Sequence, residues 1–258
     1  MKESLEFYNN FDNKLIKDYA NANKRIKSAI ESLAQFILEK ENSSILDIGC
    51  GLGWSTYEFS RFFQNSTIEG VDLSPVLIDK AKTLFQNANL KYKVFDVLEN
   101  IPDREYDAIV MIDVYEHIPV SERSRFHKSL NDLLKTEGRI IMACPSIYHQ
   151  DFLKKHNPNG LQPVDEDVSH QNLQTLCSDI NAEMIYFEYK SIWRQYDYFY
   201  AVIQKNVHYD SPLKIRDNKI VKIENRNLRL KKLKDKLDIT FPRSNSKRIL
   251  KKIIKKFN

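Results

Sequence analysis

The amino-acid sequence predicts a doubly wound α/β fold with a mostly parallel sheet of seven strands. The apolar run Ser44-Ile45-Leu46-Asp47-Ile48 passes directly into a loop with three glycines, as a buried strand does where its backbone approaches a ligand closely. Strand-like and helix-like segments then alternate at βα spacing. Two aromatic, β-rich runs at 183–193 and 196–204 close the pattern, and they predict a hairpin that adds one antiparallel strand.

The elements follow in chain order from apolar periodicity and capping residues. Residues 1–40 have helix-like apolar spacing without glycine or proline, which predicts a helical N-terminal segment. Ser74 and Pro75 predict the N-cap and first position of a helix after the second strand. The predicted strands before the hairpin are 44–49, 67–73, 90–97, 106–114 and 139–144, and the predicted helices among them and before the hairpin are 54–63, 76–87, 121–135 and 171–180.

Charge divides the 258-residue chain into a body and a tail. The net charge is +5, but residues 207–258 carry 17 Lys and Arg against 5 Asp and Glu, whereas residues 1–206 carry 23 against 30. Basic amphipathic helices are predicted at 225–238 and 243–258. An aliphatic face beside a dense cationic face favours contact with an anionic membrane surface. Packing on the body, a dimer contact and nucleic-acid binding are the alternatives.

Composition places the protein in the cytoplasm. The three cysteines, Cys50, Cys144 and Cys177, are far apart and odd in number, which indicates reduced thiols. No apolar run reaches the length of a membrane span, and the first residues lack the apolar core of a signal peptide. We therefore expect a cytoplasmic protein, peripheral at the inner membrane face through its tail.

Residues 147–169 interrupt the alternation of strands and helices. They combine histidines, prolines and the acids Asp165, Glu166 and Asp167 with little periodicity. The segment follows a predicted strand whose carboxyl end lies at the ligand-binding edge of such a sheet. We therefore expect a loop that covers the substrate, within a catalytic domain of residues 41–206.

Four motifs follow one another at the ends of the predicted strands. They are Leu46-Asp47-Ile48-Gly49-Cys50-Gly51-Leu52-Gly53, Gly70-Val71-Asp72-Leu73-Ser74, Phe95-Asp96-Val97, and Asp107-Ala108-Ile109-Val110-Met111 with Glu116-His117-Ile118-Pro119. The glycine spacing is G-x-G-x-G rather than the G-x-G-x-x-G of nucleotide dehydrogenases. With these motifs, residues 40–205 resemble the class I S-adenosylmethionine-dependent methyltransferases, of the small-molecule and glycan O-methyltransferase type.

The resemblance implies S-adenosylmethionine as the cofactor and gives the motif residues their roles. Asp47 would face the cofactor's ammonium group, Asp72 the ribose hydroxyls, and Asp96 the adenine amino group. The glycines would let the backbone approach the methionine part, and two apolar residues would contact the adenine ring. The cofactor-binding set in the body is Asp47, Gly49, Gly51, Gly53, Asp72, Leu73, Asp96, Val97 and Asp113.

The first forty residues resemble the aromatic lid that many small-molecule members place before the sheet. Tyr8 and Tyr19 would close over the cofactor, and Arg25 would pair with its carboxylate. The alternative is that the tyrosines only pack and that Arg25 is solvated.

The segment after the fourth strand supplies the candidate catalytic residues. Histidine side chains titrate near neutral pH, so His117 is the candidate general base, oriented by Glu116 or Asp113. A histidine at a strand end can also serve only in capping or packing. Asp113-x-x-Glu116-His117 is also similar to the Glu-x-x-Glu-His group that holds a divalent metal in quinone-biosynthesis and small-RNA ribose O-methyltransferases, with His170 as the remaining ligand. Because Asp113 is shorter than glutamate, we predict no metal.

The acceptor is inferred from an absent motif and from the tail. No Asn-Pro-Pro-aromatic motif follows the fourth strand, which argues against methylation of base or amide nitrogen. We expect O-methylation of a sugar or glycan precursor, of the surface-polysaccharide type, at the inner membrane face. The alternatives are a metal-assisted RNA ribose or quinone-type O-methyltransferase, methylation of an amine, and a non-catalytic cofactor-binding partner subunit. The acids at 165–167 count against RNA, and the oligomeric state is open.

Overall fold

A seven-stranded sheet organises the computed structural model, which describes residues 7–38, 42–99, 104–207 and 221–241. The strands are β1 (Ser44–Ile48), β2 (Thr67–Asp72), β3 (Leu90–Val94), β4 (Tyr106–Ile112), β5 (Leu134–Pro145), β6 (Ala182–Lys190) and β7 (Tyr198–Lys205). They lie in the order β3-β2-β1-β4-β5-β7-β6. The pairs from β3 to β5 are parallel, and β7 is antiparallel to both β5 and β6. The predicted fold class is confirmed.

The helices pack on both faces of this sheet. They are α1 (Asp12–Asn21), α2 (Lys24–Leu33), α3 (Trp54–Phe62), α4 (Pro75–Leu84), α5 (Arg123–Leu133), α6 (Ile147–His156), α7 (His170–Asp179) and α8 (Arg226–Leu237). Ser74 caps α4 by accepting a hydrogen bond from the Leu77 amide, as predicted. The left-handed conformation of Ala22 ends α1, so the N-terminal segment is two helices rather than one.

The central strands are buried on both faces, as parallel strands between helices are. Ile45 of β1 and Val110 of β4 face a core layer shared with α1 to α4, whereas Leu46 and Met111 face a layer shared with α5 and α7. All five residues of β1 are buried. This strand therefore gives a rigid base to the glycine loop at its carboxyl end.

The predicted substrate loop at 147–169 is corrected, because its first half is the helix α6. The Ser146 side chain caps this helix by accepting from the His149 amide. A 3₁₀ turn at Pro158–Gly160 follows, and only the remainder is irregular. The sequence lacked a clear helical period because the face of α6 at the cavity mixes the polar His149 and Gln150 with Leu153.

The C-terminal helix α8 packs on the body, so the prediction of a membrane-facing helix at 225–238 is corrected. Leu233 is fully buried in the layer that contains α1 to α4. The Arg229 side chain donates to the Tyr19 carbonyl at 3.0 Å, and Glu224 accepts from the Tyr57 hydroxyl at 3.0 Å. Residues 221–241 therefore belong to the folded body.

The second predicted tail helix, 243–258, lies outside the described residues. Within the part of the chain that the structure describes, each helix is too short or too polar to cross a membrane.

Candidate active site

A cavity of about 710 Å³ opens at the carboxyl edge of the parallel strands. Its walls come from the loops after β1 to β4, from the N-terminal segment that includes Phe7, Tyr8 and Phe11, and from α6 with the segment after it. Doubly wound sheets bind their ligands at this edge. The cavity therefore unites the predicted motifs with the two segments predicted to cover them.

Two glycines of the loop after β1 have conformations that other residues adopt with strain. Gly49 has φ +66°, and a Cβ there would lie 2.6 Å from Val114 Cγ2. Gly53 has φ +84°, and a Cβ there would lie 2.7 Å from the Tyr92 ring. Gly49 and Gly51 line the cavity, but Gly53 does not. The cofactor contact of Gly53 stays a prediction, and in this structure the glycine is required by packing of the first turn of α3 against the Tyr92 ring of β3.

The Asp72 side chain contacts both the glycine loop and the N-cap of α4. One carboxylate oxygen accepts from the Gly51 amide at 2.8 Å and the other from the Ser74 amide at 2.9 Å. Burial raises the pKa of Asp72, although these amides oppose the effect. The carboxylate lines the cavity together with Leu73, Asp96 and Val97, and Asp96 accepts from the Leu98 amide at 2.8 Å.

Asp47 and Tyr19 do not line the cavity, and their cofactor contacts stay predictions. Asp47 lies behind the loop, where it accepts hydrogen bonds from the Ser55 and Thr56 hydroxyls at 2.6 and 2.7 Å. Burial raises its pKa to about 6. Tyr19 is fully buried against Trp54, and its hydroxyl donates to Glu224 at 3.3 Å. Both side chains support the site from behind.

Arg25 and Asp113 form an ion pair in the cavity wall. Arg25 Nη1 lies 2.6 Å from Asp113 Oδ2 and also donates to the Tyr198 hydroxyl at 3.2 Å. Among the described residues, Arg25 Nε and Asp113 Oδ1 have no hydrogen-bond partner although both atoms are buried. Asp113 has φ +57°, which turns the chain sharply after β4. The pair thus keeps one donor and one acceptor for a ligand.

The turn Tyr115–His117 brings Glu116 and His117 to the cavity. His117 Nδ1 lies 2.7 Å from the Val164 carbonyl oxygen, which can only accept, so Nδ1 carries the proton. Nε2 is then the basic nitrogen, 3.7 Å from Glu116 Oε1. Burial raises the pKa of Glu116, and its Oε2 has no hydrogen-bond partner among the described residues. The Tyr8 ring lies 6.3 Å from the imidazole.

Two groups of residues at or behind the site were missed from the sequence. The first is a hydrogen-bonded chain in which the Tyr115 hydroxyl lies 2.7 Å from His127 Nε2, and His127 Nδ1 lies 2.6 Å from Asp179 Oδ2. The second is the set of polar side chains that α6 and the segment after it bring to the cavity, with Gln150 and Gln162 the clearest. The helix cap Ser146 was the one sequence signal for the second group.

His170, the fourth ligand of the alternative metal site, lies away from the other three candidate ligands. His170 is exposed at the start of α7, packs edge-on against Phe187, and does not line the cavity. The described ranges hold no group of three or more His, Cys, Asp or Glu that could bind a metal ion. Asp113, Glu116 and His117 lie at the cavity without His170.

Comparison with known proteins shows what part of this chain is similar to. Residues 45–138 match the family model described as a methyltransferase domain. Malonyl-[acyl-carrier protein] O-methyltransferase 1 of Ilyobacter polytropus is 30% identical over 131 residues, which cover 50% of this chain and 47% of that protein. The corresponding enzyme of Acetivibrio thermocellus is 22% identical over 78% of this chain and 74% of its own length.

Solved structures agree on the fold. Magnesium protoporphyrin IX methyltransferase of Synechocystis, with bound SAH, superposes with a TM-score of 0.61 at 15% identity, over 79% of this chain and 99% of that chain. Residues 45–138 thus match a methyltransferase domain, and the chain shares the fold of this solved methyltransferase. The chain spans about half the length of two of the first three curated relatives, so its own acceptor is a matter for proposal.

The residues at the cavity fit S-adenosylmethionine. The glycines Gly49 and Gly51 line the wall of the cavity, the carboxylate of Asp72 ends β2, and that of Asp96 follows β3. Gly49, Gly51, Asp72, Leu73, Asp96 and Val97 would hold the cofactor, which supplies an activated methyl group on a sulfonium. Glu116 and His117 line the same cavity and remain for the acceptor.

Proposed function

We propose that this chain is an S-adenosylmethionine-dependent O-methyltransferase that methylates a hydroxyl of a sugar or glycan precursor. The observation that supports this proposal is the polarity of the cavity wall. Six carboxylates line the cavity, from Asp18, Asp72, Asp96, Asp113, Glu116 and Asp165, against two cations, Lys14 and Arg25. Such a wall suits a neutral ligand that donates hydrogen bonds, as a polyol does.

His117 has the geometry of a general base for an acceptor hydroxyl. The Val164 carbonyl holds its proton on Nδ1, so that Nε2 can accept the hydroxyl proton. The imidazolium formed would lie 3.7 Å from Glu116 Oε1 and 3.5 Å from Asp165 Oδ1. Both carboxyl groups therefore lie beside the position where the transferred proton would reside.

The same charges disfavour anionic acceptors. A carboxylate acceptor, such as the malonyl group in the names of two relatives, would face Glu116 and Asp165, while Arg25 and Asp113 are paired with each other. RNA phosphates would meet the same repulsion. The proposal therefore departs from the relatives' printed acceptors because of the charges on this chain.

A phenolic acceptor is the second candidate, and the aromatic cluster at the cavity mouth favours it. The Phe7 ring lies 5.4 Å from Tyr8 and 5.1 Å from Phe11, and all three line the cavity. Tocopherol O-methyltransferase of Arabidopsis thaliana is 28% identical over 135 residues, or 37% of its length. Stacking on this cluster would suit a ring substrate.

The test is methyl transfer from labelled S-adenosylmethionine to a defined acceptor panel. The panel holds neutral methyl glycosides, catechol, a malonyl thioester and a short RNA. We expect transfer to the glycosides, and a fall of about 10²–10⁴-fold in kcat for His117→Gln because the base is lost. Affinity for S-adenosylhomocysteine should stay within about twofold, since the cofactor-binding residues are untouched.

The control is His156→Gln, which alters an exposed histidine at the end of α6. Preferred transfer to the malonyl thioester or RNA would contradict the proposal, and preferred transfer to catechol would select the phenolic candidate. Cofactor binding without transfer to any acceptor would support a non-catalytic subunit instead.

A further inference from the structure

We propose that Gln150 recognises a hydroxyl of the acceptor, and that Asp165 sets the hydrogen-bond polarity of Gln150 from behind. This inference rests on the proposed function, because it names an acceptor contact in the same cavity. Gln150 lies on α6, outside the predicted cofactor motifs. It lines the cavity and is only 1% exposed.

The Gln150 amide is half satisfied. Its Nε2 donates to Asp165 Oδ1 at 3.2 Å, whereas its Oε1 is buried without a hydrogen-bond partner among the described residues. A buried amide oxygen without a donor is costly, so such atoms in native proteins are normally matched by water or a ligand. The side chain lines the cavity, which makes a ligand donor the natural partner.

Asp165 determines which end of the amide faces the cavity. A carboxylate only accepts hydrogen bonds, so Gln150 must turn its Nε2 toward Asp165 and its Oε1 away. The Asp165 side chain is itself held in place, because its Oδ2 accepts a hydrogen bond from the backbone N–H of Gln162 at 2.8 Å. Its Oδ1 also lies 3.5 Å from His117 Nδ1, so one carboxylate contacts both the amide and the base.

Two neighbouring side chains extend the same wall. Gln162 Oε1 and His149 Nδ1 line the cavity and are buried without partners in the described part of the chain. Burial lowers the pKa of His149, which favours the neutral imidazole with one accepting nitrogen. Three groups that line one cavity and can each accept a hydrogen bond match a ligand with several hydroxyls, such as a pyranose ring, and not a carboxylate or phosphate.

The variant Asp165→Asn tests the polarity argument directly. The new side chain has one acceptor oxygen and one donor nitrogen in place of two acceptors. The Gln162 amide is fixed in the backbone and would take the oxygen. Gln150 would then rotate its amide, accept from the asparagine nitrogen, and present its own NH₂ to the cavity. The wall would change from an acceptor to a donor without any change in Gln150.

The experiment compares Gln150→Met, Asp165→Asn and the exposed control Gln171→Met in the full chain. Two readouts are used: steady-state methyl transfer to methyl glycosides, and saturation-transfer NMR of those glycosides on the chain loaded with S-adenosylhomocysteine. We expect Gln150→Met to raise KM by about tenfold with kcat changed less than about threefold, from the loss of one buried hydrogen bond. The NMR signal should fall in parallel, and Gln171→Met should match the wild type.

Asp165→Asn should weaken glycosides that donate at this position and improve the matched deoxyfluoro glycosides, which only accept. The inference is overturned if Gln150→Met leaves KM and the NMR signal unchanged, or if no glycoside binds the loaded wild type. Methyl transfer that persists to other hydroxyl acceptors would then leave O-methylation standing. Normal glycoside binding without methyl transfer would instead overturn the proposed function and leave the Gln150 contact in place.

Discussion

At the scale of single residues, neighbours in the glycine stretch serve different ends. Gly49 opens the backbone to the cavity, whereas Gly53 makes room for the Tyr92 ring. Asp47, the fourth residue of β1, accepts hydrogen bonds from two hydroxyls of α3. The motif is therefore as much a packing device as a binding site.

Asp47 gives a prediction on pH. Its pKa is about 6 in the folded chain against a reference of 3.8, so the folded state binds the proton more tightly than the unfolded state. Stability from this group is present below pH 4 and is lost as the pH rises through 6. We therefore compare the free energy of unfolding of Asp47→Asn with that of the wild type. The variant's value minus the wild type's should rise by about 2–3 kcal/mol from pH 4 to pH 7.

Urea unfolding at pH 4, 5, 6 and 7 measures this difference. Asparagine keeps an oxygen for the Ser55 and Thr56 hydroxyls, so the comparison isolates the charge. Asp79→Asn, at an exposed position on α4, is the matched control and should show no such trend. A flat difference for Asp47→Asn would show that its carboxyl titrates alike in both states.

At the scale of elements, the sequence predicts strands and helices well where their pattern is regular. β1, β2, β4 and the hairpin follow from apolar runs, and α4 follows from Ser74 and Pro75. The helix α6 was not predicted, because the face that it turns to the cavity includes the polar His149 and Gln150. The chain of contacts from Tyr115 to His127 to Asp179 joins three elements distant in sequence, so only the fold brings it together.

The helix α8 shows how periodicity can predict an element and mislead about its partner. Its leucines were expected to face a membrane, yet Leu233 fills the core beside α1. We expect Leu233→Ala to cost about 2–5 kcal/mol in free energy of unfolding, because it leaves a cavity in packed surroundings. Leu228→Ala, on the same helix but 50% exposed, should change stability by less than about 0.5 kcal/mol.

Chemical denaturation followed by circular dichroism compares the two leucine variants. A two-state transition shifted only by Leu233→Ala would match the packing of α8 on the body. Equal, small effects of both substitutions would mean that α8 contributes nothing to the core.

At the scale of the whole molecule, the cavity and the C-terminal tail carry charges of opposite sign. The cavity is acidic, whereas residues 207–258 hold a balance of +12. We propose that 243–258 brings the chain to an anionic membrane surface, since α8 is occupied by the body. The acceptor would then be a precursor made at that surface.

Sedimentation with vesicles tests this localisation. We expect the full chain to sediment with anionic but not zwitterionic vesicles, to be released by salt, and to lose binding when residues 243–258 are removed. Lys231→Gln with Lys234→Gln, on the exposed face of α8, is the control that should retain most of the binding. Unchanged sedimentation after the deletion would place the membrane contact elsewhere or nowhere.

The aromatic wall of the cavity also has a practical consequence. The chain has two tryptophans, and both Trp54 and Trp193 line the cavity. Trp54 is buried beside the glycine loop, whereas Trp193 is 54% exposed at the mouth. All indole emission of the unlabelled protein thus originates at the site. Tryptophan fluorescence should therefore report the binding of both the methyl donor and the methyl acceptor, without a dye or a coupled assay.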